Sequence, residues 1–203
     1  MPHEKWLITG DVSGYYNHIE SKDRSPYHIG ENYNKGRFEG NASVQARWRP
    51  LEQFTLAFTL REEVYGKKFT PISGAFFADY VLWKKWNLTL KASVAKNHRI
   101  PSMDDLYFKP GGNPYLQPEE GFSYDGGIEF KIPLRRGHVR GQVTGFDSHI
   151  NNWIQWLPNA RGFWEPHNLK KVHNYGIEMM LGTDFNLRKG WSLGATGNYA
   201  FTP

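Results

Sequence analysis

Three groups of residues carry side chains able to do chemistry. The first is Arg99–Glu120, RIPSMDDLYFKPGGNPYLQPEE, which sets one arginine before two carboxylate pairs, Asp104-Asp105 and Glu119-Glu120. The second is the set of eight histidines: His3, His18, His28, His98, His138, His149, His167 and His173. The third is a scatter of aromatic and polar residues, Tyr27, His28, Tyr33, Trp153, Trp156, Phe163, Trp164 and His167. Paired carboxylates can work as general acid and base, but only with a nucleophile or a second base beside them. No such constellation is spelled, so the pairs read as solvated loop charge. No catalytic residue is assigned and the chain does not read as an enzyme. The histidines lack a ligand spacing such as His-x3-His, and there is no Cys for a thiolate site or a disulfide, so no metal site is expected. Phosphate loops and dinucleotide fingerprints are absent as well, and no cofactor is implied. What remains is binding chemistry, carried by aromatic rings and hydrogen bonds on loops.

The elements that position these groups are strands. Phe38, Gly40, Ala42, Val44, Ala46 and Trp48 alternate with Glu39, Asn41, Ser43, Gln45 and Arg47. Leu88, Leu90, Ala92 and Val94 alternate with Thr89, Lys91, Ser93 and Ala95. The same period of two runs through 54–61, 122–132, 175–181 and 191–201. Period two means a sheet with one apolar and one polar face. It predicts nine strands, at about 4–20, 36–49, 53–66, 74–84, 87–99, 120–133, 138–157, 168–186 and 190–202, with helix scarce. Several match or exceed the roughly 9–11 tilted residues that cross a bilayer.

No run approaches the roughly 20 apolar residues of a spanning helix, so a spanning chain of this composition would be a β-barrel. Tight turns at 49–52, 85–86, 134–137 and 187–190 alternate with longer links at 21–36, 65–73, 100–119 and 158–167. That asymmetry is the one shown by outer-membrane barrels, with short periplasmic turns and long extracellular loops. In a barrel the apolar face meets lipid. The polar set Glu39, Gln45, Arg47, Arg61, Lys91, Lys96, Asp125, Glu129, Lys131 and Glu178 would then line the lumen. Trp6, Trp48, Trp83, Trp86 and Trp191 fall near predicted strand ends, where an interfacial aromatic girdle would lie. The fold class expected is all-β: an antiparallel up-and-down meander forming a portion of a transmembrane β-barrel. The net charge of +5 includes no basic run of the kind that binds nucleic acid. Met1-Pro2-His3-Glu4-Lys5 leads into a strand with no apolar signal core, so the chain is either cytosolic or an excised piece of something larger.

Asn97-His98-Arg99-Ile100-Pro101-Ser102-Met103-Asp104-Asp105-Leu106-Tyr107 resembles the Arg-x-Pro run of TonB-dependent outer-membrane receptors, which ends in Glu-Leu-Tyr; Asp105 stands where Glu is usual. Gly112-Asn113-Pro114-Tyr115-Leu116-Gln117-Pro118-Glu119 resembles the family's Gly-Asn-Pro-Asn-Leu-Lys-Pro-Glu box, departing at Tyr115 and Gln117. Phe146 with Ile150-Asn151-Asn152-Trp153-Ile154 is similar to its Phe…Ile-x-Asp-x-Ile strand. Asn168 with Asn174-Tyr175-Gly176-Ile177-Glu178 is similar to its Asn…Gly-Val-Glu element. The resemblance favours the excised-piece reading. It implies residues 1–203 as a central part of a 22-stranded barrel, with the N-terminal plug and the terminal strands absent from it. It also implies the outer membrane of a Gram-negative bacterium and contact with outer-membrane lipid. The implied partners are the plug of the full-length protein, a TonB-type coupling protein acting through that plug, and a small nutrient ligand.

The two boxes read as structural. Pro101, Pro114 and Pro118 fix φ, Gly111 and Gly112 permit sharp turns, and Arg99 stands where it can bond a carboxylate such as Asp105 or Glu119. No His lies between Arg99 and Asn113, where haem receptors of the family often place one. Ligand contacts are assigned to Tyr27, His28, Tyr33, Trp153, Trp156, Trp164 and His167, whose rings suit a catecholate, corrin or sugar. The alternative is that these are ordinary interfacial aromatics. The expected function is one segment of an energy-coupled transporter that imports a scarce nutrient such as an iron-siderophore or cobalamin. A passive porin and a soluble all-β binding domain are the competing readings.

Overall fold

Period two in the sequence becomes one antiparallel sheet. The computed structural model describes residues 5–22, 33–187 and 190–203. Its strands are β1 (Trp6–Ser21), β2 (Tyr33–Leu51), β3 (Phe54–Tyr65), β4 (Lys68–Phe69), β5 (Ser73–Trp83), β6 (Leu88–Arg99), β7 (Glu119–Leu134), β8 (Gly137–Pro158), β9 (Trp164–Asn186) and β10 (Ser192–Phe201). They pair in the order β1-β2-β3-β5-β6-β7-β8-β9-β10, with β4 a short addition beside β3. Every pairing is with the next long strand, as an up-and-down meander requires. Apart from a single 3-10 residue at Gly190, helix among the described residues is limited to α1 (Met103–Tyr107) and a 3-10 turn at Lys84–Trp86.

The register settles the faces. Val44 opposes Leu60, Leu56 opposes Ala78, Leu90 opposes Ile128, Ile128 opposes Val143 and Val143 opposes Met179. Val44, Leu56, Leu90, Ile128, Ile177 and Leu193 therefore share one face; Gln45, Thr55, Lys91, Glu129, Glu178 and Ser192 share the other. The apolar face has no second layer over it: Val44 is 43%, Ile128 44% and Leu193 61% exposed. A soluble sandwich would cover such a face, whereas a barrel wall leaves it to lipid. The polar face carries cross-strand partners, including a Lys91–Glu129 ion pair and a Ser93 hydroxyl donating to Asp125 at 2.9 Å.

One expected lumen residue is on the wrong side. Lys96 opposes Gly74 and Phe122, which puts it on the face of Leu90 and Val94 rather than that of Lys91. Alternation is strict along β6, so an even position cannot join an odd set. The link expected at 158–167 is also shorter than the sequence suggested. The β8–β9 ladder continues up to the pair Pro158–Trp164, leaving only 159–163 outside it. Pro166 disguised this, because a proline argues against a ladder position. It nevertheless sits opposite Trp156, fully buried.

The two ends of the sheet differ. Trp6 stacks on Trp48 at 5.3 Å, and Trp83 on Trp86 at 4.8 Å. Together with Trp191 these rings lie where β1 begins and where the β2–β3, β5–β6 and β9–β10 turns close. All five therefore mark the short-turn end, consistent with an aromatic girdle at one interface. The opposite end carries the long loops.

Candidate functional site

The long segment 100–118, between β6 and β7, is built on a helix turn that the sequence spells out. The Ser102 hydroxyl accepts the Asp105 N–H at 3.0 Å, and the Asp105 carboxylate accepts the Ser102 N–H at 2.9 Å, a reciprocal capping box that starts α1. The same carboxylate also accepts the Trp156 indole N–H at 3.0 Å and lies 3.8 Å from the Arg99 guanidinium. Arg99 makes its short contact with Glu119. Glu119 in turn accepts the backbone N–H of Ile154 at 2.8 Å. Asp105 and Glu119 are 6% and 5% exposed, and these donors offset the cost of burying their polar oxygens.

The sheet explains why the network is placed here. The last β7–β8 pair is Glu120–Asn151, yet β8 runs on to Pro158. Its upper edge has lost its strand neighbour, and open backbone groups there need partners. Two come from the flanking strands, Glu119 of β7 to the Ile154 N–H and Asn168 of β9 to the Asn152 carbonyl, and segment 100–118 is tied to β9 beside them. Gln117 exchanges hydrogen bonds with the Asn168 side chain, donating to its oxygen at 2.9 Å and accepting from its amide at 3.0 Å. Asn168 also donates to the Asn152 carbonyl at 2.7 Å. Asn113 donates to the Pro166 carbonyl at 3.2 Å, and its own oxygen accepts the Tyr115 N–H at 3.0 Å. Gly111 has φ +126°, and a Cβ there would lie 2.2 Å from the Trp164 carbonyl, so only glycine allows this approach to β9.

On its other flank the segment reaches β2. Tyr33 donates to Asp104 at 3.1 Å, Arg37 donates to the Pro101 carbonyl at 2.9 Å, and Lys35 lies over the Tyr107 ring at 5.5 Å. Tyr33, Lys35 and Arg37 are in step with Gln45, so they belong to the polar face. Segment 100–118 is thus a ledge laid across the lumen face, tied to β2 on one side and to β8 and β9 on the other. Pro101, Met103 and Leu116 are its small buried core. Gly176 belongs to the wall below the ledge, with the Phe146 ring packed over its Cα, while Glu178 stands exposed on the polar face. Pro114 is exposed and Pro118 half-buried.

The expected ligand-contact residues divide. Tyr27 and His28 lie outside the described residues. Tyr33 and Trp156 converge on adjacent carboxylates of α1. Trp153 opposes Leu169 within the β8–β9 ladder. Trp164 and His167 are exposed in β9, and His167 is 3.8 Å from Glu165. The ledge adds two rings outside the set expected from sequence. Tyr115 is 89% exposed on the box itself, and Phe108 is 42% exposed with its ring edge-on to Trp156 at 5.8 Å. The available signal was Tyr115 as a departure from the Asn-Pro-Asn-Leu pattern. Among the described residues no buried side-chain polar atom lacks a partner, so the ledge is a satisfied scaffold that presents rings.

The family described as TonB dependent receptor-like, beta-barrel matches residues 4–203. The chain belongs to that family. A vitamin B12 transporter, BtuB, of Photobacterium profundum is 33% identical over 107 residues, 48% of this chain and 17% of that protein. BtuB of Vibrio vulnificus is 32% identical over 89 residues, 43% of this chain and 14% of that protein. A solved Serratia marcescens hemophore receptor, HasR, in complex with its hemophore HasA and heme, superimposes with TM-score 0.80 at 15% identity, covering 97% of this chain and 38% of its own. The aligned parts are well under half the length of these relatives. Within the TonB-dependent receptor barrel, the Arg99–Pro101 and Asn113–Glu119 boxes are the two ends of one ledge. Asn168, from the downstream element, is its clasp.

Proposed function

We propose that this chain is the central wall of an energy-coupled receptor in the outer membrane of a Gram-negative bacterium, and that its cargo is a cobalamin. The carrying observation is the roughly one-third identity to two vitamin B12 transporters across nearly half the chain. In this reading residues 1–203 form part of a barrel whose full-length protein also holds a plug. A TonB-type protein pulls on that plug to release cargo inward. The ledge contributes a rigid rim, and Tyr115, Phe108 and Trp164 offer apolar faces to a flat macrocycle. Tyr27, His28, Tyr33, Trp153, Trp156 and His167 complete the proposed contact set. Tyr33 and Trp156 act chiefly by holding α1.

The test is uptake of labelled cyanocobalamin by cells carrying the full-length receptor, with and without a proton gradient. Binding should persist in both conditions, while accumulation should occur only with the gradient. Equal accumulation in both would make the protein a passive pore. Coupled uptake of a ferric siderophore with no cobalamin uptake would keep the receptor and replace the cargo.

A further inference from the structure

On the outward face, β8 and β9 set three potential metal ligands side by side. His149 is directly opposite His173 in the ladder, and Asp147, two residues before His149, shares their face. The two imidazoles stack at 4.2 Å, with 18° between their planes. Each points a ring nitrogen at the same carboxylate. His149 Nδ1 is 2.9 Å from one oxygen of Asp147, and His173 Nε2 is 2.8 Å from the other. One ligand atom from each residue can be chosen so that all three lie within 4.8 Å of one another. Four-coordinate zinc, with bonds of about 2.0–2.1 Å, wants its donors about 3.4 Å apart. Rotations about side-chain bonds close that difference without moving the ladder.

The cluster's neighbours place it. The row Val94, Tyr124, Asp147, Tyr175 runs across four strands, and the next row up is Lys96, Phe122, His149, His173. Asp147 stands about ten residues above the β7–β8 turn. At about 3.3 Å per residue and about 40° of tilt, that is about 25 Å, the height of a barrel's apolar band. The aromatic side chains Phe122, Tyr124 and Tyr175 around it are the second girdle, at the long-loop interface. The three ligands are therefore beside the outer headgroup layer, half-buried to exposed, with room outward for a further ligand.

We propose that Asp147, His149 and His173 form a three-ligand site for a divalent transition metal of the zinc class, its fourth position open to water or to a headgroup oxygen. Two imidazoles and one carboxylate suit such an ion, whereas calcium and magnesium prefer all-oxygen shells. Both strands are held by an unbroken ladder, so the ligands are already in place before the ion arrives. The site lies on the wall's outside and does not depend on the cargo assigned above.

The full-length receptor in a phosphate-free nonionic detergent is titrated calorimetrically with Zn2+ against excess Mg2+. Folding of every variant is checked by the heat-sensitive electrophoretic mobility of the intact barrel. The expected result is a saturable Zn2+ event that His149→Asn and His173→Asn each weaken by at least about tenfold. His167→Asn, beside Glu165, should leave it unchanged. A wild type with no Zn2+ event beyond that of folded His149→Asn and His173→Asn overturns the site. Such a result would leave the three residues as a hydrogen-bonded surface cluster.

Discussion

The two ends of this barrel wall solve opposite problems. At the short-turn end, strands close within a few residues, and tryptophans mark the interface: Trp6 on Trp48, Trp83 on Trp86, and Trp191. At the other end, β8 outruns β7; Glu119 and Asn168 satisfy its orphaned edge, and segment 100–118 is folded back beside them. The first end rests on local geometry and the bilayer; the second rests on side chains drawn from β2, β6, β7, β8 and β9. The two ends should therefore fail differently. A change at the short-turn end is absorbed locally, whereas one at the ledge releases several elements together.

The sharpest break is expected at Glu119. Replacing it with alanine strands the Ile154 N–H and the half-exposed Arg99 guanidinium, a loss of about 3 kcal/mol for the ledge. Hydrogen exchange on the full-length receptor should show 100–118 losing protection while β5–β6 keeps its own. Global unfolding with no local signature would mean that the ledge is not a separate unit. Gly111→Ala comes next. Its Cβ would collide with the Trp164 carbonyl, so the box must lift from β9, at about 2 kcal/mol. Limited proteolysis should then cut within 108–116, and cargo affinity should fall if the ledge bears the ligand.

At the other end, Trp83→Ala removes the stack on Trp86 and should cost about 1 kcal/mol in urea unfolding from vesicles. Cargo affinity should be unchanged, and a drop would join the two ends that are here held separate. The smallest effect is expected for Arg135→Ala with Arg136→Ala, in the two-residue turn between β7 and β8. These should stay within about 0.5 kcal/mol and leave uptake intact.

The elements of the wall were legible because strand periodicity is local. A residue's face follows from counting by two, and Val44 through Leu193 fell on the face assigned to them. Lys96 failed only where the count was not kept. The capping box at Ser102–Asp105 was also local and readable, but the surrounding Pro and Gly made the segment look like plain loop.

What the amino-acid sequence determined by itself was everything with a short period: the strands, their two faces, the tryptophan-marked end and the family boxes. Only the tertiary structure decided which distant residues meet. Asp104 bonds Tyr33, Asp105 bonds Trp156 and Asn168 clasps Gln117, across separations of 71, 51 and 51 residues. The cluster of Asp147, His149 and His173 belongs to the same class: its spacing of 26 between Asp147 and His173 has no local signature. The physical reason is that an antiparallel ladder maps sequence onto space through the turn that joins two strands. A shift of one residue in that turn would move every side chain to a different partner and to the opposite face.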